Sequence, residues 1–94
     1  MGHIYLVVKE QGLENPRIAY VSTIACNSVS LDRMLEAEKI ERDRLRKEFS
    51  PQRYAIMQYV GGRFAHNSPE GAYLRAHKAE LTAEQILARK KPKK

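Results

Sequence analysis

A chain of 94 residues forms one small domain, and the core of such a domain is too small for a deep substrate cleft. Its content of 43% hydrophobic and 30% charged residues is that of a folded protein and excludes wholesale disorder. A formal net charge of +6 suggests an acidic partner. The single cysteine, Cys26, excludes an intrachain disulfide, and neither a secretory leader nor a long apolar run is visible, so we expect a cytoplasmic protein that does not enter a membrane.

Two strands are predicted at the start of the chain. Residues 3–10 (HIYLVVKE) are rich in β-branched and aromatic residues, and the turn-forming QGLENP follows them. In residues 17–26, alternation places on one face the side chains of Ile18, Tyr20, Ile24 and Cys26. The two segments are therefore predicted to pair as a hairpin.

One long helix is predicted next, with Ser30 as its N-cap and the Ser-Pro pair at 50–51 as its stop. At about 100° per residue, its apolar stripe consists of Leu31, Met34, Leu35, Leu45 and Phe49. Glu38 and Arg42 interrupt the middle of that stripe at the spacing of a helical ion pair. We therefore expect buried ends and a partly solvated centre, with Ile40 pointing to the opposite face.

The segment 52–66 is ambiguous between strand and helix. Its aromatic and β-branched residues favour a strand, while the Ser-Pro before it and the Gly-Gly at 61–62 bracket it as helix caps do. We interpret residues 52–60 as a strand, with a tight turn at 61–62 and residues 63–66 folding back as a short fourth strand.

Two helices and a basic tail are predicted at the carboxyl end. The first helix, within 67–81, has Ser68 as its cap and Pro69 at its first position, and the second opens with a capping box in Thr82 and Gln85. The whole chain is thus predicted as an α+β fold, a small antiparallel sheet of three to four strands packed by one long helix. Residues 1–88 form the domain, and residues 89–94 form a flexible tail.

No arrangement of residues suits catalysis, a metal or a cofactor. The three histidines and Cys26 share no metal-ligand spacing, and the Gly-Gly-Arg at 61–63 lacks the pattern of a phosphate-binding loop. Cys26 ends an apolar strand, so core packing is the better interpretation than a nucleophile. We therefore expect a protein that is not an enzyme.

One functional hypothesis is sequence-nonspecific association with nucleic acid, or with a nucleic-acid-processing complex, through basic residues near the carboxyl end. Five of the last six residues are basic, which leaves 12 basic against 11 acidic residues in 1–88. The candidate phosphate contacts are Arg63, Arg75, Lys78, Arg89, Lys90, Lys91, Lys93 and Lys94. Tyrosines add base stacking if an open sheet face presents them, although Tyr5 and Tyr20 are better interpreted as core.

The alternative hypothesis is a protein-binding inhibitor or adaptor that docks on a larger complex through its charged helix or a sheet edge. The helix residues assigned to this contact are Glu38, Ile40, Arg42, Arg44 and Arg46. The acidic residues of the helix gather early and the basic ones late, so stabilisation of the helix dipole also explains much of this pattern. Whether the chain forms a homodimer is left open.

Overall fold

The computed structural model describes residues 3–12, 14, 17–26, 29–61, 64–65, 67–77 and 80–90, without the side chains of 89 and 90. Four strands and three helices occur in these residues. In chain order they are β1 (His3–Glu10), β2 (Ile18–Ala25), α1 (Leu31–Glu48), β3 (Tyr54–Val60), α2 (Pro69–His77), β4 (Glu80–Thr82) and α3 (Ala83–Lys90).

The four strands form one sheet in the order β3-β1-β2-β4. β1 lies antiparallel to both β2 and β3, whereas the short β4 runs parallel to β2. The predicted α+β fold, the hairpin of the first two strands and the strand within 52–60 are confirmed. The fourth strand lies at Glu80–Thr82; at Phe64 and Ala65, where it was predicted, the chain is not a strand.

A bulge changes the predicted facing of β2. The register advances by one extra residue on β2, because Val8 pairs with Tyr20 while Lys9 pairs with Ile18. Since side chains alternate strictly along a strand, the extra residue, Ala19, moves Ile18 to the face opposite Tyr20. The predicted alternation therefore holds from Tyr20 onward and is wrong at Ile18.

Apolar clusters lie on both faces of the sheet. The larger cluster joins the even-numbered residues of β1 and β2 to α1 and α3, and it includes the fully buried Leu6, Ile24 and Leu45. The smaller cluster joins Tyr5, Val7 and Val21 to side chains that follow β3 and lie on α2, among them Phe64 and Tyr73. The sheet is thus the middle layer of three. Tyr5 is a core residue as predicted, and Tyr20 packs against the larger cluster.

Helix α1 begins where predicted but buries a different side. The Ser30 hydroxyl accepts a hydrogen bond from the Arg33 N–H, as an N-cap does. The prediction of buried ends is wrong at the amino end, because Leu31 is 66% exposed and Leu35 is 51% exposed. The predicted partly solvated centre holds at Arg42, whose side chain is partly exposed, and is wrong at Glu38, which is buried. The buried residues of α1 are Ala37, Glu38, Glu41 and Leu45.

The carboxyl-terminal elements follow the predicted caps. Gly71 N–H donates to the Ser68 hydroxyl at 3.1 Å, and the capping box joins Thr82 and Gln85 through two hydrogen bonds of 3.0 and 3.1 Å. α3 extends to Lys90, so its last two residues are the first two of the predicted tail. Residues 91–94 lie outside the described residues.

Candidate protein-binding site at the open edge of the sheet

Among the described residues, the outer side of β3 is an open sheet edge. Of the strands in these residues, only β1 lies beside β3, whereas β1 and β2 each have a strand on both sides. At the ends of the β3–β1 ladder, Gly61 N–H donates to the His3 carbonyl at 3.0 Å and Gln11 N–H donates to the Arg53 carbonyl at 2.8 Å. In an antiparallel pair, every second residue points both backbone groups at the same neighbour. The odd-numbered residues 53–61 therefore bond to β1.

The even-numbered residues of β3 point their backbone groups away from β1. Those of Tyr54 already have local contacts, because its N–H donates to the Ser50 carbonyl at 3.0 Å and its carbonyl lies 3.5 Å from Arg46 Nη1. This leaves the N–H and C=O groups of Ile56, Gln58 and Val60 directed outward. We call these three residues the β3 edge.

The sequence of β3 contains none of the devices that usually block such an edge. Natural edge strands carry charged residues or proline, or are very short, because an unpaired strand is a template for another chain. β3 has seven residues, YAIMQYV, without a charge or a proline. Val60 is 65% exposed and Met57 is 42% exposed, so apolar side chains flank the edge on both faces of the sheet.

The carboxyl end of α1 lies beside the start of this edge. Leu31, Leu35, Glu38, Arg42 and Arg46 follow the spacing of three and four residues that aligns side chains along a helix. Arg46 reaches the Tyr54 carbonyl, and the C-cap residue Phe49 packs edge-on against the Tyr54 ring at 5.2 Å. The carboxyl end of α1 therefore lies beside the start of β3, and Val60 is at the far end of the strand.

A cavity of about 330 Å³ lies at that far end, on the face of the sheet opposite α1. Its walls include Tyr5, Tyr59, Val60 and Phe64. The Phe64 ring stands edge-on to Tyr5 at 4.9 Å and to Tyr59 at 5.2 Å between centroids, a favourable aromatic geometry. The cavity therefore has an aromatic wall that adjoins the β3 edge.

The charge at the start of β3 is positive. Arg46 is partly exposed and Arg53 is exposed there. The nearby Glu10 does not offset them fully, because its carboxylate lies 3.4 Å from Arg17 Nε. The edge thus runs from a basic end to an apolar, aromatic end.

Most of the helix charges predicted to contact a partner are engaged within the domain. Arg42 pairs with Glu38, one turn before it. Arg44 donates from Nε and Nη2 to the Glu41 carboxylate at 3.1 and 2.8 Å, and Glu41 also accepts a 2.7 Å hydrogen bond from the Ser22 hydroxyl. The hydrogen bond to Glu41 raises the pKa of Arg44. Glu41 is 0% exposed, so this network anchors α1 to β2.

The two remaining helix residues proposed for protein binding, Ile40 and Arg46, lie in different surroundings. Ile40 packs against the larger core cluster, so the prediction that it points away from the core is wrong. Arg46 stands at the β3 edge and is the member of that set that the open edge brings into a site. The sequence predicted docking at a sheet edge without specifying the strand; the absence of charge in residues 54–60 is the signal that marks β3.

Of the residues proposed for nucleic-acid binding, Arg75 is exposed in the last turn of α2. Five others lie outside the described residues: Arg63, Lys78, Lys91, Lys93 and Lys94. The side chains of the remaining two, Arg89 and Lys90, are not described. Helices pack on both faces of the sheet, so the described part of the chain does not present the open aromatic face that base stacking requires.

Cys26 belongs to the larger core cluster, as predicted. Burial, with a smaller contribution from Glu84, raises the pKa of its thiol. Within the described ranges, no group of three His, Cys, Asp or Glu side chains is placed to hold a metal ion. No helix in these ranges combines the length and apolar character needed to cross a bilayer.

Comparison of the chain with family models, curated proteins and solved structures gave no match.

Proposed function

We propose that this chain is a non-enzymatic protein-binding module that takes an extended segment of a partner protein onto the β3 edge. The observation that carries the proposal is the uncharged seven-residue edge strand whose outward backbone groups belong to Ile56, Gln58 and Val60. In strand addition, main-chain hydrogen bonds supply affinity and pockets for alternate side chains supply specificity. Such a module acts as an adaptor or inhibitor of the protein that donates the segment.

The surroundings of the edge support a partner other than a second copy. β3 contains no acidic residue, so a second β3 would place no carboxylate near Arg46 and Arg53. Two copies with a net charge of +6 each also repel one another. A partner segment with carboxylates places negative charge near Arg46 and Arg53 and is not repelled by the positive net charge of the chain. A cytoplasmic partner fits the buried, unpaired thiol of the single cysteine, Cys26.

A pair of proline variants tests the proposal. Gln58→Pro removes an N–H that points outward, a position where an edge strand tolerates proline, so the fold is retained while strand addition is lost. Met57→Pro removes an N–H that bonds to β1 and is expected to unfold the domain. Gln58→Lys, which adds a charge to the edge without removing a donor, is the second blocking variant.

The assay is selection of displayed random decapeptides on the folded protein. Enriched peptides are expected to bind Gln58→Pro and Gln58→Lys at least about tenfold more weakly than wild type. In hydrogen exchange, the amides of Ile56, Gln58 and Val60 should exchange faster than those of Met57 and Tyr59, and peptide should slow them. Enriched peptides that bind both Gln58 variants as tightly as wild type would overturn the proposal. So would a homodimer that dissociates on Gln58→Pro.

A second candidate function, association with nucleic acid, is supported by the basic residues that close the sequence and by the exposed Arg75. Fluorescence anisotropy with labelled duplex and single-stranded DNA tests it at about 50 and about 200 mM salt, where phosphate contacts lose affinity steeply. Absence of binding at the lower salt excludes it. Truncation of residues 89–94 should abolish such binding and leave peptide binding at the β3 edge unchanged.

A further inference from the structure

The two ends of the β3 edge differ in chemistry, and this difference specifies the partner segment. One end has the guanidinium groups of Arg46 and Arg53, and the other adjoins the aromatic wall of the cavity. A strand lying along the edge meets both ends at once, because β3 is seven residues long, roughly 20 Å at about 3.3 Å per residue. The following inference rests on the proposed function of the edge.

We infer that the partner segment runs antiparallel to β3, with a large apolar side chain opposite Tyr59 and an acidic side chain five residues later, beyond the residues that pair with the edge and beside Tyr54. The antiparallel direction is preferred because such pairs are slightly more stable per residue than parallel ones and two to three times as common. Read from its amino end, the segment has the form apolar, four residues, acidic.

The apolar position follows from the register. Tyr59 directs its backbone groups at β1, so it forms with an added strand a non-hydrogen-bonded pair, in which the opposing side chains lie closest. Tyr59 also lies on the face of the sheet that carries the cavity. A side chain opposite Tyr59 therefore lies at the mouth of the cavity, beside Tyr59 and Phe64. A volume of about 330 Å³ is at the lower limit for small-molecule pockets and suits one leucine, methionine or phenylalanine side chain.

The acidic position follows from the carboxyl end of α1. The Tyr54 N–H already donates to the Ser50 carbonyl, so the segment stops pairing after Ile56, and the residue five positions after the apolar one lies beyond the paired part. Arg46 is beside it, with Nη1 3.5 Å from the Tyr54 carbonyl, and it has further N–H groups for a carboxylate. Arg42 is already paired with Glu38, so Arg46 is the better placed of the two.

The direct test uses acetylated and amidated synthetic peptides whose binding is measured by isothermal titration or anisotropy. The reference peptide is Val-Leu-Thr-Val-Thr-Ser-Glu, in which leucine falls opposite Tyr59 and glutamate lies beyond the paired residues, beside Tyr54. Alanine in place of its leucine should weaken binding about tenfold through lost apolar burial. Lysine in place of its glutamate should weaken binding about fivefold to tenfold at low salt and less at high salt. A peptide with the same residues in reverse order should bind as weakly as the peptide that carries both the alanine and the lysine replacements.

A charge exchange on the protein side isolates the acidic contact. Arg46→Glu should weaken the reference peptide and restore binding of the peptide with terminal lysine. Lys47→Glu, the same charge change on the adjacent exposed residue of α1, is the matched control and should leave the order of the peptides unchanged.

The outcomes separate this inference from the proposed function. Suppose that Gln58→Pro abolishes peptide binding, but that neither replacing the leucine nor reversing the peptide changes its affinity. This result would overturn the inference and leave strand addition standing. Binding of the reference peptide that Gln58→Pro and Gln58→Lys leave unchanged would overturn the proposed function as well. Failure of Arg46→Glu to restore the lysine peptide would overturn the acidic contact.

Discussion

The buried network of Ser22, Glu41 and Arg44 predicts a large and specific loss of stability. In Arg44→Met, an apolar side chain of similar length replaces the guanidinium that donates two hydrogen bonds to Glu41. The carboxylate stays fully buried and loses both of these charge-assisted hydrogen bonds, while the 2.7 Å hydrogen bond from the Ser22 hydroxyl remains. The contact of Arg44 with the Tyr20 ring, 5.9 Å from its centroid, is lost as well.

The expected size of the loss follows from the burial of the two partners. Removing one member of a buried ion pair costs about 3–5 kcal/mol. The Arg44 side chain is 33% exposed, so water partly replaces its contribution, and we expect about 3 kcal/mol. The pair of Arg44 with Glu48, whose carboxylate side chain is 57% exposed, adds little. For a domain of this size, such a loss lowers Tm by roughly 12–24 °C.

Urea unfolding followed by circular dichroism measures this loss, since the chain contains no tryptophan. The matched control is Lys39→Met, which removes one positive charge from an exposed site of the same helix and should change stability by less than about 0.5 kcal/mol. Replacing Glu41 with methionine should cost less in the Arg44→Met background than in wild type, because both partners are then apolar. A loss below about 1 kcal/mol for Arg44→Met would refute the reasoning.

Three further predictions concern local structure. Thr82→Ala removes the hydroxyl of the α3 capping box and should cost about 1 kcal/mol by urea unfolding, with a non-additive effect when combined with Gln85→Ala. Because burial raises the pKa of Cys26, iodoacetamide should modify the native protein at least about tenfold more slowly than the urea-unfolded chain, and equal rates would contradict the burial. Burial and, to a smaller extent, the nearby Tyr20 raise the pKa of Tyr73. The Tyr73 phenol therefore keeps its proton to a higher pH in the folded state than in the unfolded chain. Stability should therefore fall as pH rises above about 10, and Tyr73→Phe should reduce that fall in urea titrations at several pH values.

The β3 edge shows why part of the site could not be predicted from the sequence. The strand character of residues 54–60 is visible from their β-branched and aromatic side chains. Its place at the edge depends on β1 lying between β3 and β2, which is an order of strands and not a property of any one strand. The aromatic cavity likewise requires Phe64 to meet Tyr5 and Tyr59 from a different segment.

Local chemistry determined the helices, the first three strands and their caps, because caps, turns and periodicity act between residues a few positions apart, whereas the fourth strand at Glu80–Thr82 was not visible in it. Ser30 on α1 and the capping box at the start of α3 are examples. The tertiary structure decided which side of α1 is buried, since a carboxylate such as Glu41 enters a core when other residues satisfy it, and here Ser22 comes from β2. It also decided that the outer side of β3 has no neighbouring strand among the described residues, and with that where we propose that a partner binds.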